Sequence, residues 1–97
     1  MKQHLTPDAL PADAGLFAVQ LDGSRLAPRF ADGALLAVDP HKAPAAGDAV
    51  LAELPGALRN RLAVMIVNAD GDLTDNDGGY HAAGTFSLRG VVIGEAR

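Results

Sequence analysis

A serine, a set of arginines, three histidines and an acid-rich stretch are the residues of this 97-residue chain that could do chemistry. Ser24 follows Asp22-Gly23. A serine hydroxyl attacks a carbonyl only with a base in hydrogen-bond reach and oxyanion donors facing the same carbonyl. The same position suits a turn serine that bonds the local backbone, and that is the reading adopted for Ser24. Arg25, Arg29, Arg59 and Arg61 would form an anion site if the fold made them converge. As isolated charges they are surface groups or partners for Asp22 and Asp32, each worth little. His4, His41 and His81 are widely spaced without an H-x-x-x-H pattern, which points to solvent-facing loop residues. The stretch from Asp70 to Gly78 lacks the ligand order and closing glutamate of a calcium loop, so it reads as a solvated hairpin tip. The chain has no cysteine, which excludes disulfides, thiolate metal sites and a thiol nucleophile. No metal or other cofactor is expected.

The elements that must position these groups are short. Eleven glycines and six prolines cut the chain into pieces that suit strands and turns. Residues 1–15, with Pro7 and Pro11, read as an N-terminal arm or linker with one helical turn after Thr6. Residues 16–97 read as one β-domain. Leu16 to Leu21 is a strand closed by Asp22-Gly23, and Ser24 to Phe30 is an amphipathic turn of helix. Ala34 to Val38 is apolar throughout and so buried on both faces. Ala49 to Leu54 follows, ended by Pro55-Gly56. The start of Leu58 to Val67 also fits a helix, but Val64-Met65-Ile66-Val67 is β-rich, and the segment is read as strand. A short strand at Leu73 and strands at Thr85–Leu88 and Gly90–Glu95 complete the chain, with Arg89-Gly90 as a bulge or kink. Strands without helix alternation give an all-β fold, a small barrel or sandwich.

Composition narrows the function. A net charge of −4 with scattered cations disfavours direct nucleic-acid binding. No apolar run approaches the ~20 residues of a membrane span, and no signal-peptide pattern follows Met1-Lys2-Gln3-His4. A cytoplasmic protein is expected.

The run Leu21-Asp22-Gly23-Ser24-Arg25-Leu26-Ala27-Pro28-Arg29-Phe30-Ala31-Asp32-Gly33-Ala34-Leu35-Leu36-Ala37-Val38 resembles the signature of the LexA-like and phage-repressor serine peptidases. Gly23, Pro28, Phe30, Gly33, Val38 and the later Gly47-Asp48-Ala49-Val50 stand at matching positions, and Ile93-Gly94 resembles the last strand. The likeness covers about a third of the chain well. It implies a partly open barrel of the LexA and signal-peptidase type with a long hairpin.

The departures bear on activity. In that family the nucleophilic serine stands two positions after the glycine and three before the proline, which here is Arg25; Ser24 is one residue early. The family's base is a lysine on the later hairpin. The matching stretch is Arg59-Asn60-Arg61-Leu62, which puts Asn60 at the lysine position with a one-residue gap and Arg61 there without one. Asn has no basic nitrogen and Arg stays protonated. The expectation is a pseudo-peptidase without catalytic residues. It would act in transcription regulation by dimerisation or by binding a repressor, through edge strands and the run Val91-Val92-Ile93. The alternative is an autoprotease using Ser24.

Overall fold

A computed structural model describes residues 2–6 and 15–96. They form eight strands: β1 (Lys2–Thr6), β2 (Phe17–Asp22), β3 (Leu35–Asp39), β4 (Ala49–Leu54), β5 (Arg61–Val67), β6 (Leu73–Thr74), β7 (Tyr80–His81) and β8 (Ser87–Glu95). All strand pairs are antiparallel and belong to one sheet in the order β1-β2-β3-β8-β4-β5-β6-β7. The sheet curls into a half-barrel, bringing β5 near β1. The fold is all-β, and among the described residues no helix is long and apolar enough to cross a membrane.

Glycine and proline punctuation sets most of these boundaries. β4 occupies the expected Ala49–Leu54, and β2 and β3 each lie one residue C-terminal of their expected starts and ends. Leu36, Ala37 and Val38 are buried, as an apolar strand between two layers requires. The segment Leu58 to Val67 divides: Arg61–Val67 is strand, while Leu58, Arg59 and Asn60 belong to the turn. There Gly56 backs onto the Arg59 carbonyl with no room for a Cβ.

Three elements depart from expectation. Residues 2–6, inside the segment read as an arm, pair with β2 from Lys2↔Asp22 to Thr6↔Ala18. The helical turn expected after Thr6 lies outside the described residues. Ser24 to Phe30 forms consecutive turns, not a helix, with Ala27 N donating to Ser24 O at 3.1 Å and Phe30 N to Leu26 O at 3.1 Å. These turns still send Leu26 and Phe30 into the core, at about 1.5–3 kcal/mol each.

The third departure concerns the C-terminus. Ser87–Glu95 is one strand rather than two, and it lies between β3 and β4. The expected bulge is present, since Leu51 faces Gly90 and Ala52 faces Leu88, leaving Arg89 over. Both edges of β8 are paired and Val91 and Val92 are buried, with Ile93 left exposed. The run Val91-Val92-Ile93 is therefore no pairing edge. β8 crosses β3 so closely that a Cβ on Gly90 would sit 2.5 Å from Val38 Cγ1.

Two large hydrophobic clusters fill the two sides of the sheet, beside a small third one of Ala18, Ala37 and Ala96. Val19, Leu21, Leu26, Phe30, Leu36, Val38, Leu51, Val64 and Val92 pack on one side. Val50, Leu54, Met65, Val67, Leu73 and Val91 pack on the other, beneath the lobe formed by β6, β7 and their loops. The segment from Leu21 to Phe30 is thus held against the first cluster, and the acid-rich lobe covers the second.

Candidate functional site

Arg25 begins in the turn that follows β2, and its side chain reaches the acid-rich lobe. Its guanidinium lies 3.7 Å from Asp75 Oδ2 and 3.8 Å from Asp77 Oδ2. The Asp75 side chain is 2% exposed. A carboxylate this buried needs partners, and it has them: Asp77 N and Gly79 N donate to Oδ1 at 2.9 and 2.7 Å. The turn thus closes on the Asp75 carboxylate, as Asx turns do.

The contact is reinforced by the neighbouring residue. Asn76 N donates to Arg25 O at 3.0 Å, and Asn76 Nδ2 donates to Ala27 O. Backbone and side chain of one lobe residue therefore fasten the segment Arg25–Ala27 in place.

Arg61 completes this region. Arg25, Leu54, Arg61, Ala63, Met65, Asp75, Gly79 and His81 line one small cavity of about 60 Å³. That volume accommodates on the order of two waters and is far below the ~300 Å³ of a small ligand pocket. Asn60 lies elsewhere, donating from Nδ2 to Glu53 Oε2 at 3.1 Å. Of the two positions weighed on the hairpin, it is Arg61 that shares a cavity with Arg25.

The arrangement places no serine beside the two arginines, and the other ionisable side chains lining their cavity are Asp75 and His81. A guanidinium is a hydrogen-bond donor only and offers no lone pair to accept a proton. Ser24 is exposed in the turn, where its carbonyl accepts from Ala27 N. The four arginines converge only in part. Arg29 donates to Gly47 O at 2.6 Å and lies 5.3 Å from the centre of the Phe30 ring, and Arg59 is exposed at the hairpin tip.

The remaining polar groups are structural. Asn68 Oδ1 accepts from Asp70 N and Asp72 N, closing the turn after β5. Asp72 accepts from Ala83 N and from the Tyr80 hydroxyl, each at 2.8 Å. The Ala83 amide, and then the Tyr80 hydroxyl, hold the Asp72 carboxyl below its ordinary value, while Asp72 raises Tyr80. Glu53 is held low by Asn60 first and by Arg89 second. Among the described residues no group of three or more His, Asp or Glu side chains could hold a metal ion. His41 is exposed, but His81 is a half-buried residue of β7 lining the Arg25–Arg61 cavity rather than a solvent-facing loop residue, and His4 stands in β1, its side chain outside what the structure describes.

The contribution of Asp75 and Asn76 was not legible from their own positions. The Asp-Asn-Asp-Gly-Gly pattern signals a turn, but nothing local says that the turn docks on Arg25, fifty residues earlier. Comparisons with family models, with curated proteins and with solved structures give no match.

Proposed function

We propose that this chain is a non-catalytic, LexA-like domain of a cytoplasmic regulator, acting in transcription regulation by pairing with itself or with a repressor-type protein. One observation carries the reading. The residue at the family's nucleophile position, Arg25, is tied to the buried Asp75 in a cavity it shares with Arg61, the ungapped match to the family's base. A site occupied by an ion pair, with a cavity far smaller than a ligand needs, is consistent with a scaffold kept for binding. The half-barrel and the β4–β5 hairpin, paired over six residues, agree with the architecture that the resemblance implies. A net charge of −4 favours protein partners over nucleic acid.

Two assays test the two halves of this reading. A serine-directed fluorophosphonate should leave the purified protein unlabelled; labelling that disappears in Ser24→Ala would instead establish the autoprotease. Association should appear as a self-complex or as co-elution with a repressor. A protein that remains monomeric when concentrated and retains no repressor would end the proposal.

A further inference from the structure

The acid-rich lobe over the second hydrophobic cluster is tied more closely to itself than to the sheet beneath it. Within residues 68–86, Asn68 N donates to Asp72 O at 2.9 Å, Asp75 N to Gly79 O at 3.2 Å and Thr85 N to Ala82 O at 3.1 Å. Asp72 accepts from Ala83 N and the Tyr80 hydroxyl, Asp75 accepts from Asp77 N and Gly79 N, and β6 pairs with β7. The hold on the body is narrow by comparison. The β5–β6 ladder is two residues long, Ile66↔Thr74 and Val67↔Leu73. Leu73 is the one lobe side chain buried in the second cluster, with Phe86 packed against it. Space separates lobe and body at two places. A groove of about 240 Å³ lies between Pro44–Ala46 and the lobe residues Ala69, Leu73 and Phe86. The cavity of about 60 Å³ lies between Leu54 and Met65 of the sheet and Asp75 and His81 of the lobe. Protein interiors are close-packed, and such gaps forfeit contacts. The remaining attachment is to the segment Arg25–Ala27, through the two ion pairs of Arg25 and the two hydrogen bonds of Asn76.

We propose that residues 68–86 form a latched cover, which leaves the sheet as one body when Asp75, Asn76 and Asp77 lose their grip on Arg25–Ala27. Proteins open in cooperative units, and the units with few buried apolar contacts open first. The lobe has that character. Its own hydrogen bonds survive the movement, and only the short ladder, the Leu73 contact and the latch are broken. Opening bares Val50, Leu54, Met65, Val67 and Val91, and strips Arg25 of its acidic partners. The latch thus sets how much of this apolar sheet face is accessible, whatever binds there.

Hydrogen exchange on the full chain tests the cover, with Asn76→Ala beside the wild type. Asn76 is exposed and its carboxamide donates to Ala27 O, so the variant removes a latch bond and leaves the core intact. The amides of Asp77, Gly79 and Ala83 should share one degree of protection, lower than that of β4 and β8. Asn76→Ala should speed all three by about fivefold, the effect of losing one hydrogen bond. The absence of cysteine allows a second readout. In Met65→Cys the thiol lies under the lobe, and in Leu51→Cys it lies on the opposite side of the sheet. A thiol reagent should modify the first well before the second, and faster again when Asn76→Ala is added. An increase confined to Asp77 and Gly79, with Ala83 unchanged, would reduce the effect to fraying of one turn and overturn the cover. Equal protection in the lobe and in β4, with both thiols reacting together, would mean that the lobe opens only when the whole chain unfolds, and would overturn it as well.

Discussion

Arg25 and Asp75 carry the chemistry of the site, and they carry it as structure. The Asp75 carboxylate satisfies two backbone amides and a guanidinium while almost fully buried. Asp75→Ala leaves those amides without a partner, and a urea titration should read a loss of about 1–3 kcal/mol; an unchanged midpoint would contradict the structural role. Arg25→Ser puts a serine at the family's nucleophile position but supplies no base. It should remain unreactive toward a fluorophosphonate, and labelling would mean that Asp75 or His81, which line the same cavity, serves as its base. Asp72 and Tyr80 give the pH dependence. Asp72 is depressed below 3.8 in the fold, so its contribution is complete above 3.8 and is lost as the pH falls through the lower folded value. Tyr80 is raised above 10.0, so its contribution is present below 10.0 and is lost as the pH rises through the higher folded value. Asp72→Asn should flatten the loss of stability at both extremes, measured as thermal midpoint against pH. Unaltered limbs would remove the Asp72–Tyr80 bond from the account.

At the scale of elements, the glycine at the middle of β8 is the most exacting position. Gly90→Ala places a Cβ against Val38 Cγ1, with the Asp39 carbonyl at 3.0 Å and Pro40 Cα at 3.1 Å. Overpacking of that kind costs about 1–3 kcal/mol, and a drop in the thermal midpoint would register it. A neutral outcome would mean that β3 and β8 can separate freely. The bulge at Arg89-Gly90 was legible in sequence because a glycine inside an apolar run signals close backbone approach. So were β2, β3 and β4, whose apolar runs end at Asp-Gly, Asp-Pro and Pro-Gly. The central place of β8 was not legible. It depends on pairing with β3 and β4 across long stretches of chain, which local patterning does not encode. The same holds for β1: Lys2-Gln3-His4-Leu5-Thr6 has one aliphatic residue, and its strand state comes from the edge that β2 presents.

The whole molecule is a single curled sheet, and the placement of its strands decides which surfaces remain for a partner. β8, the longest strand, has no free edge, and β7 at one border is two residues long, which limits edge-to-edge pairing. The apolar C-terminal run is spent on the core. What remains is the outer edge of β1 at the other border and the hairpin end, where Leu58 and Arg59 are exposed near an apolar groove. The spacing from Gly23 and Pro28 singles out Arg25, but on the later hairpin it allows Asn60 or Arg61, and only Arg61 lines a cavity with Arg25. Its acidic half was hidden in the lobe. The central claim is that this chain works by association. The most direct measurement is light scattering coupled to size-exclusion chromatography over a roughly hundredfold concentration range, since mass action favours the complex as protomer concentration rises. The account predicts a mass that climbs from one chain toward two. A mass fixed at one chain throughout, with no repressor retained on the same column, would contradict it.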